Sequence, residues 1–276
     1  MKHRQPGFIF APTPVDEAKG VTIVRAIGAE RMAILDPFIL LDHASVEKDS
    51  SVVGFPRHPH RGIETLSYVI TGEVGHKDSR GNEGTVGAGG TQWMTAGDGI
   101  YHEEMLIPGS DGAEFLQLWF SLPSAKKRIP AAYYGGPAHA IPEVASSGAI
   151  VRVVAGRFRD VERLFDGIAV DPTVLDIVLR PHATIEIPTA LGEATVAYIL
   201  RGSMNVGETS PSAPSLVVFT DGEGVSLTAG DVGARVFFVA AAPLKEPILQ
   251  YRSFVMNTVE DIQETLERIS AGTFGQ

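Results

Sequence analysis

Residues 66–72 read LSYVITG and residues 196–202 read VAYILRG. Each is a run of aliphatic, β-branched and aromatic residues stopped by glycine, which reads as a strand entering a turn. The two stretches are offset by 130 positions (66 to 196), and TAGDGIYH at 95–102 is echoed by TAGDVGAR at 228–235, an offset of 133 (95 to 228). Two matches in the same order at nearly the same offset point to an internal duplication. Each copy has a β run ending in glycine, a polar Gly-rich region, TAGD, and a further β run. In the first copy that last run is EFLQLWFSLP, with Phe115, Gln117 and Trp119 on one face and Leu116, Leu118 and Phe120 on the other. Such a strand is covered on at least part of both faces.

Thirty glycines and eighteen prolines punctuate these short runs, the pattern of an all-β chain. The Pro/Gly-rich segment 130–143, PAAYYGGPAHAIPE, contains neither repeat and is the natural junction. The expected domains are therefore 1–130 and 144–276. Only the end changes period: Val259, Ile262, Leu266 and Ile269 recur at helical spacing, Asn257 or Thr258 can cap the start, and Gly272 can stop it. One amphipathic helix over 257–272 is expected.

The chain has 276 residues, 44% hydrophobic and 20% charged, enough apolar content for sizeable cores. With 23 Lys plus Arg against 33 Asp plus Glu, the formal charge is −10, so the average surface repels phosphate backbones and direct nucleic-acid binding is not expected. No cysteine is present, which removes disulfides, thiolate nucleophiles and sulfur-ligated metals together. The opening MKHRQPGFIFAPTP meets prolines and a glycine where a signal peptide needs a continuous apolar run, and no segment reaches membrane-span length. A cytoplasmic setting without membrane contact is expected.

Within FPRHPHRGIET, residues 55–65, His58 and His60 stand two apart. In a strand such a pair projects from one face, and the intervening Pro59 favours an edge or bulged strand. His102 and Glu104 in YHEEM repeat that geometry one hairpin away. Three imidazoles and a carboxylate form an N3O set for a divalent transition metal; the competing reading is a group of polar residues on a solvated rim. The second copy is an internal control. The offsets place Pro188 and Ala190 opposite His58 and His60, and Arg235 and Phe237 opposite His102 and Glu104, so all four candidate ligands are absent together.

HPHRGIETLSYVITG, TQWMTAGDGIYHEEM, LQLWFSLP, FVMNTVEDI and the early LDPFILLDH resemble the corresponding segments of the pirins, a family of bicupin proteins. The resemblance is strong over 54–122 and weak over 140–190. It implies two tandem cupin (jelly-roll) β-barrels with a short C-terminal helix, the first barrel holding one metal, usually iron (Fe2+), and the second none. The family's HPH and HxE fall on His58, His60, His102 and Glu104. The wider cupin pattern uses the glutamate after HxH, here Glu64, as a ligand and has proline where this chain has Gly97. Pirins depart from it in the same two ways, which leaves Glu64 outside the ligand set with a salt-bridge or hydrogen-bonding role.

Pirins with quercetin 2,3-dioxygenase activity extend that expectation to a planar aromatic substrate: a flavonol whose central ring is opened by dioxygen with release of carbon monoxide. Glu104 would ligate at rest and take the flavonol hydroxyl proton, acting as base. The resemblance equally implies a regulatory alternative, in which the protein binds a transcription factor or metabolic enzyme in a metal-dependent way without turnover. A nonredox cupin with zinc or manganese is a third. N3O ligation itself is shared by iron, manganese, nickel, copper and zinc. A monomer or weak dimer is expected.

Other positions carry plainer readings. Glu103 points away from His102 by alternation; Trp93 and Met94 are read as core or mouth residues; His76 as an exposed turn residue; His182 as structural or exposed; and Lys126, Lys127 and Arg128 as a solvated linker. The Gly-rich runs 87–90 and 222–230 lack the context that cradles phosphates, and no GxSxG elbow is present.

Overall fold

The computed structural model describes residues 2–162 and 167–275, so the outermost positions of the expected domains, 1 and 276, lie outside the described residues. These residues form two compact units, one of 2–13, 140–162 and 171–243, the other of 14–139, 167–170 and 244–275. Residues 2–13 thus belong with the later part of the chain, and the C-terminal segment with the earlier part.

In the unit of residues 14–139, one sheet runs in the order Ala132–Gly136, Thr91–Thr95, Ile63–Thr71, Ala113–Ser121, Phe38–Val46, Thr22–Ile27 and Thr13–Val15. A second sheet orders Val53–His60, Ile100–Ile107, Glu73–Asp78 and Glu83–Gly87. Ile23, Ala44, Val69 and Phe115 of the first sheet pack on Val74, Val86 and Leu106 of the second, so alternating apolar faces meet as a sandwich core. Ala132–Gly136, inside the segment read from sequence as a junction, is an edge strand on Thr91–Thr95.

The main sheet of the other unit runs in the order Pro6–Phe10, Ser215–Phe219, Ala194–Asn205, Gly224–Ala241, Thr173–Leu179, Ala149–Ala155 and Glu143–Ser146, with Thr184–Pro188 also paired to Gly224–Ala241. Its core is built from Val153, Leu175, Ile187, Ile199, Val225, Leu227 and Phe238.

Both units are cupin-like and mostly β, but the expected β-barrels are not formed. Among the described residues each sheet is an open path between two edge strands. Strand propensity and turn spacing give the number of strands. Closure requires the two edges to pair in a matching stagger, and edges as short as Thr13–Val15 offer little to pair.

Strand pairing also corrects the internal repeat. LSYVITG and VAYILRG are equivalent: Ser67 and Tyr68 pair with Gln117 and Leu116, as Ala197 and Tyr198 pair with Phe238 and Phe237. The TAGD match is not. In the first unit it falls at the turn before Ile100–Ile107; in the second it lies inside the 18-residue strand Gly224–Ala241. Val74 pairs with Leu106 and Met204 with Ala229, and His58 pairs with His102 as Ile187 pairs with Val225. The positions opposite His58, His60, His102 and Glu104 are therefore Ile187, Thr189, Val225 and Leu227, in place of Pro188, Ala190, Arg235 and Phe237.

The C-terminal helix Val259–Ser270 is capped by the Thr258 side chain, which accepts from the Asp261 backbone N–H. Gly272 follows with φ +70°.

Candidate metal centre

The strand Val53–His60 lies at an edge of its sheet and, among the described residues, pairs only with Ile100–Ile107, which tolerates the missing amides of Pro56 and Pro59. Its end is held from outside by the C-terminal segment. The Val255 N–H donates to the Arg61 carbonyl, and Ser253 Oγ donates to the Pro59 carbonyl at 2.6 Å. Gly62 has φ +76°, and a Cβ there would stand 2.0 Å from the Val255 carbonyl oxygen, so only glycine admits this crossing. The Arg61 guanidinium is fully buried against Thr265 Oγ1, Asp98 and Glu264. Lys127, expected in a solvated linker, is 2% exposed, and its ammonium donates to the Gly62 and Val255 carbonyls and to Ser121 Oγ. Charge runs are usually solvated, and only long-range contacts reveal this exception.

His58, His60 and His102 each offer a ring nitrogen, and these atoms all lie within 4.8 Å of one another. Carbonyls fix two of the tautomers. His58 Nδ1 lies 2.8 Å from the Pro56 carbonyl oxygen and His60 Nδ1 3.4 Å from that of Ser253. A carbonyl only accepts, so both Nδ1 atoms carry the proton and, in neutral rings, both Nε2 atoms present lone pairs. Those Nε2 atoms are 2.9 Å apart. Neither nitrogen of buried His102 has a hydrogen-bond partner among the described residues. Burial holds all three imidazoles below their usual pKa, His60 and His102 well below it. Neutral nitrogens converging with no proton to share are satisfied by a cation, so the donor set fits a divalent metal.

Glu104 is buried on the same strand but is not one of that three-histidine group. Its Oε1 accepts from Ser67 Oγ at 2.5 Å and its Oε2 from Gln117 Nε2 at 2.7 Å. Gln117 Oε1 in turn accepts from Trp119 Nε1 at 3.3 Å, and the Trp119 ring stands edge-on to His60. Burial pushes the Glu104 carboxyl up to about 7, opposed by the Ser67 hydrogen bond.

His76, expected to be exposed, is buried in Glu73–Asp78 directly across from Glu104. Its Nε2 meets Asp78 Oδ2 at 3.2 Å and its ring stacks on Tyr133 at 4.0 Å. Burial raises the Tyr133 hydroxyl to about 12, so it stays protonated. Tyr133 escaped notice because it sits in the Pro/Gly-rich junction. Ser67 and Gln117 were visible only as members of alternating strands.

The remaining candidates fall outside the centre. Glu64 is buried and accepts from Thr95 Oγ1 and the N–H groups of Ala169 and Val170, as the hydrogen-bonding reading expects. Trp93 and Met94 are core residues, Glu103 pairs across from Lys77, and His182 is exposed.

Two cupin-like sheet units, one with a buried histidine cluster able to hold a divalent metal, define a two-part cupin-type protein. Residues 20–120 match the family described as Pirin, and residues 174–275 match the Pirin C-terminal cupin domain. Pirin-like protein 2 of Arabidopsis thaliana is 38% identical over 269 residues, covering 94% of this chain and 82% of its own. A pirin-like protein of Caulobacter vibrioides is 33% identical, covering 95% of each. The crystal structure of quercetin 2,3-dioxygenase from Acinetobacter baumannii superposes with a TM-score of 0.91 at 31% identity, over 99% of both chains. The chain belongs to the pirin family. No described helix is long and apolar enough to cross a membrane.

Proposed function

We propose that this protein is a metal-dependent dioxygenase, working in the cytoplasm, that opens the central ring of a flavonol such as quercetin. The observation that carries the reading is the convergence of His58, His60 and His102, both His102 nitrogens unsatisfied among the described residues, with the buried Glu104 on the same strand as His102. The likeness to the Acinetobacter quercetin 2,3-dioxygenase supports the substrate class.

The three histidines would hold the ion, iron(II) first among the candidates, and Glu104 would serve as the fourth ligand. When bound, the metal supplies Lewis acidity and access to dioxygen chemistry. The residues supply the rest. Glu104, its carboxyl near neutrality, takes the flavonol 3-hydroxyl proton at a carboxylate oxygen. The stacked His76 and Tyr133 rings and the Trp119 indole offer flat walls to a planar substrate. Dioxygen adds across C2 and C4; the C2–C3 and C3–C4 bonds break, C3 leaves with its oxygen as carbon monoxide, and both oxygen atoms remain in the ring-opened ester.

The test is oxygen uptake with quercetin by protein reconstituted anaerobically with ferrous iron, beside His60→Ala. Uptake with ring-opened product, lost in the variant, is expected. Iron-loaded protein that consumes no oxygen would overturn the dioxygenase reading in favour of metal-dependent binding of a protein partner.

A further inference from the structure

We propose that Gln117 is a positioning residue for Glu104, and that Trp119 acts through it by fixing which end of the Gln117 amide faces the carboxylate. The inference rests on the metal-site reading above.

Gln117 pairs with Ser67 across neighbouring strands, so both side chains project from one face of the sheet, and both reach Glu104. An amide can meet a carboxylate in two ways, through its NH2 favourably or through its oxygen repulsively. Here the indole N–H of Trp119 occupies the amide oxygen, which leaves the NH2 aimed at Glu104 Oε2 and, at 3.0 Å, at Ser67 Oγ. Two donors thus fix both oxygens of a carboxylate beside the histidine cluster, and a third donor fixes the orientation of the second. Such outer partners set how strongly a carboxylate ligates and where it points.

The second unit supplies an independent argument. In its register, Ser67, Gln117 and Trp119 are replaced by Ala197, Phe238 and Ala240, and Glu104 by Leu227. Ala197 and Phe238 are fully buried there, so the sheet packs well without any polar member of the chain. The three donors accompany the carboxylate as a set and serve Glu104 rather than the fold.

The experiment measures nickel(II) affinity by calorimetry, and the copper(II) EPR spectrum, for wild type, Gln117→Met, Trp119→Phe and the double variant. Gln117→Met should weaken nickel binding by about 10-fold and change the copper signal. Trp119→Phe, which keeps a ring against His60, should shift both in the same direction by about 3-fold. The double variant should match Gln117→Met alone, because Trp119 has no route to Glu104 once the amide is gone. Gln117→His, which restores an N–H donor, should recover affinity and spectrum. Equal affinity and unchanged spectra in all variants, or losses that simply multiply in the double variant, would overturn the proposal while leaving the metal site standing. Wild-type protein that binds neither metal would overturn both.

Discussion

In one unit His58, His60 and His102 converge, with Glu104 on the same strand as His102 bonded to Ser67 and Gln117; in the other the same register positions carry Ile187, Thr189, Val225, Leu227, Ala197 and Phe238. The hydrogen-bonded framework is shared, yet one interior converges on lone pairs and the other is continuous hydrocarbon. A neighbouring pair shows the framework keeping a contact while exchanging which strand carries the carboxylate. His43 Nε2 lies 2.5 Å from Glu114 Oε1 in the first unit, and their counterparts Asp176 and Arg235 form an ion pair at 2.8 Å in the second. The fold needs an interaction at that position but does not dictate its polarity. At the histidine cluster the fold needs no polar group at all, so buried donors left without a cation there cost stability.

Exchanging single residues between the units breaks the comparison most directly. Leu227→Glu places a carboxyl at the Glu104 position without Ser67 or Gln117 counterparts to receive it, and should destabilise the protein by on the order of 4 kcal/mol in urea titration. A loss below about 1 kcal/mol would mean that the second interior tolerates charge and that the contrast is weaker than its packing indicates.

Next in size is a pH effect confined to one unit. The first unit holds its histidine strand with buried Lys127, the second holds residues 189–193 with buried Arg4. Arginine stays charged throughout the accessible range, whereas burial pulls the Lys127 amine down to about 8 from 10.5. Between those values the unfolded chain binds more protons at this site than the folded one, so stability should rise with pH across that window. The contribution is fully present above 10.5 and is lost as pH falls through 8. Wild type minus Lys127→Met should therefore gain up to about 3 kcal/mol between neutral pH and pH 10, less what the three accepting oxygens return to the ammonium. A pH-independent difference would show that those acceptors hold the charge fully.

The smallest effect is the converse exchange. His102→Val removes two unpartnered buried nitrogens and should stabilise the metal-free protein by about 1 kcal/mol while weakening its metal binding. A lower metal-free melting temperature would assign His102 a packing role that Val225 fills by other means.

How far the sequence was legible depended on the range of the contact that carried each feature. The convergence of His58, His60 and His102 was visible because strand alternation is local and period two is unambiguous. The capped helix at Val259–Ser270 was visible for the same reason. The TAGD repeat misled because four matching letters carry no pairing register, and the continuous strand Gly224–Ala241 shifted them. His76 and Lys127 looked exposed because their burial is produced by segments far away in sequence. Barrel closure was out of reach, since it turns on whether two distant edges meet.

The crossing of the termini carries a consequence for synthesis. Neither unit is a continuous stretch of chain: the one bearing the histidines takes its last elements from residues 244–275. While a ribosome is still making those residues, the partners that Ser253, Val255 and Thr265 provide to the His60–Gly62 stretch do not yet exist. The histidine-bearing unit is therefore finished after its companion, and a chain released early at residue 243 would carry all three histidines with their strand unfastened on its outer side.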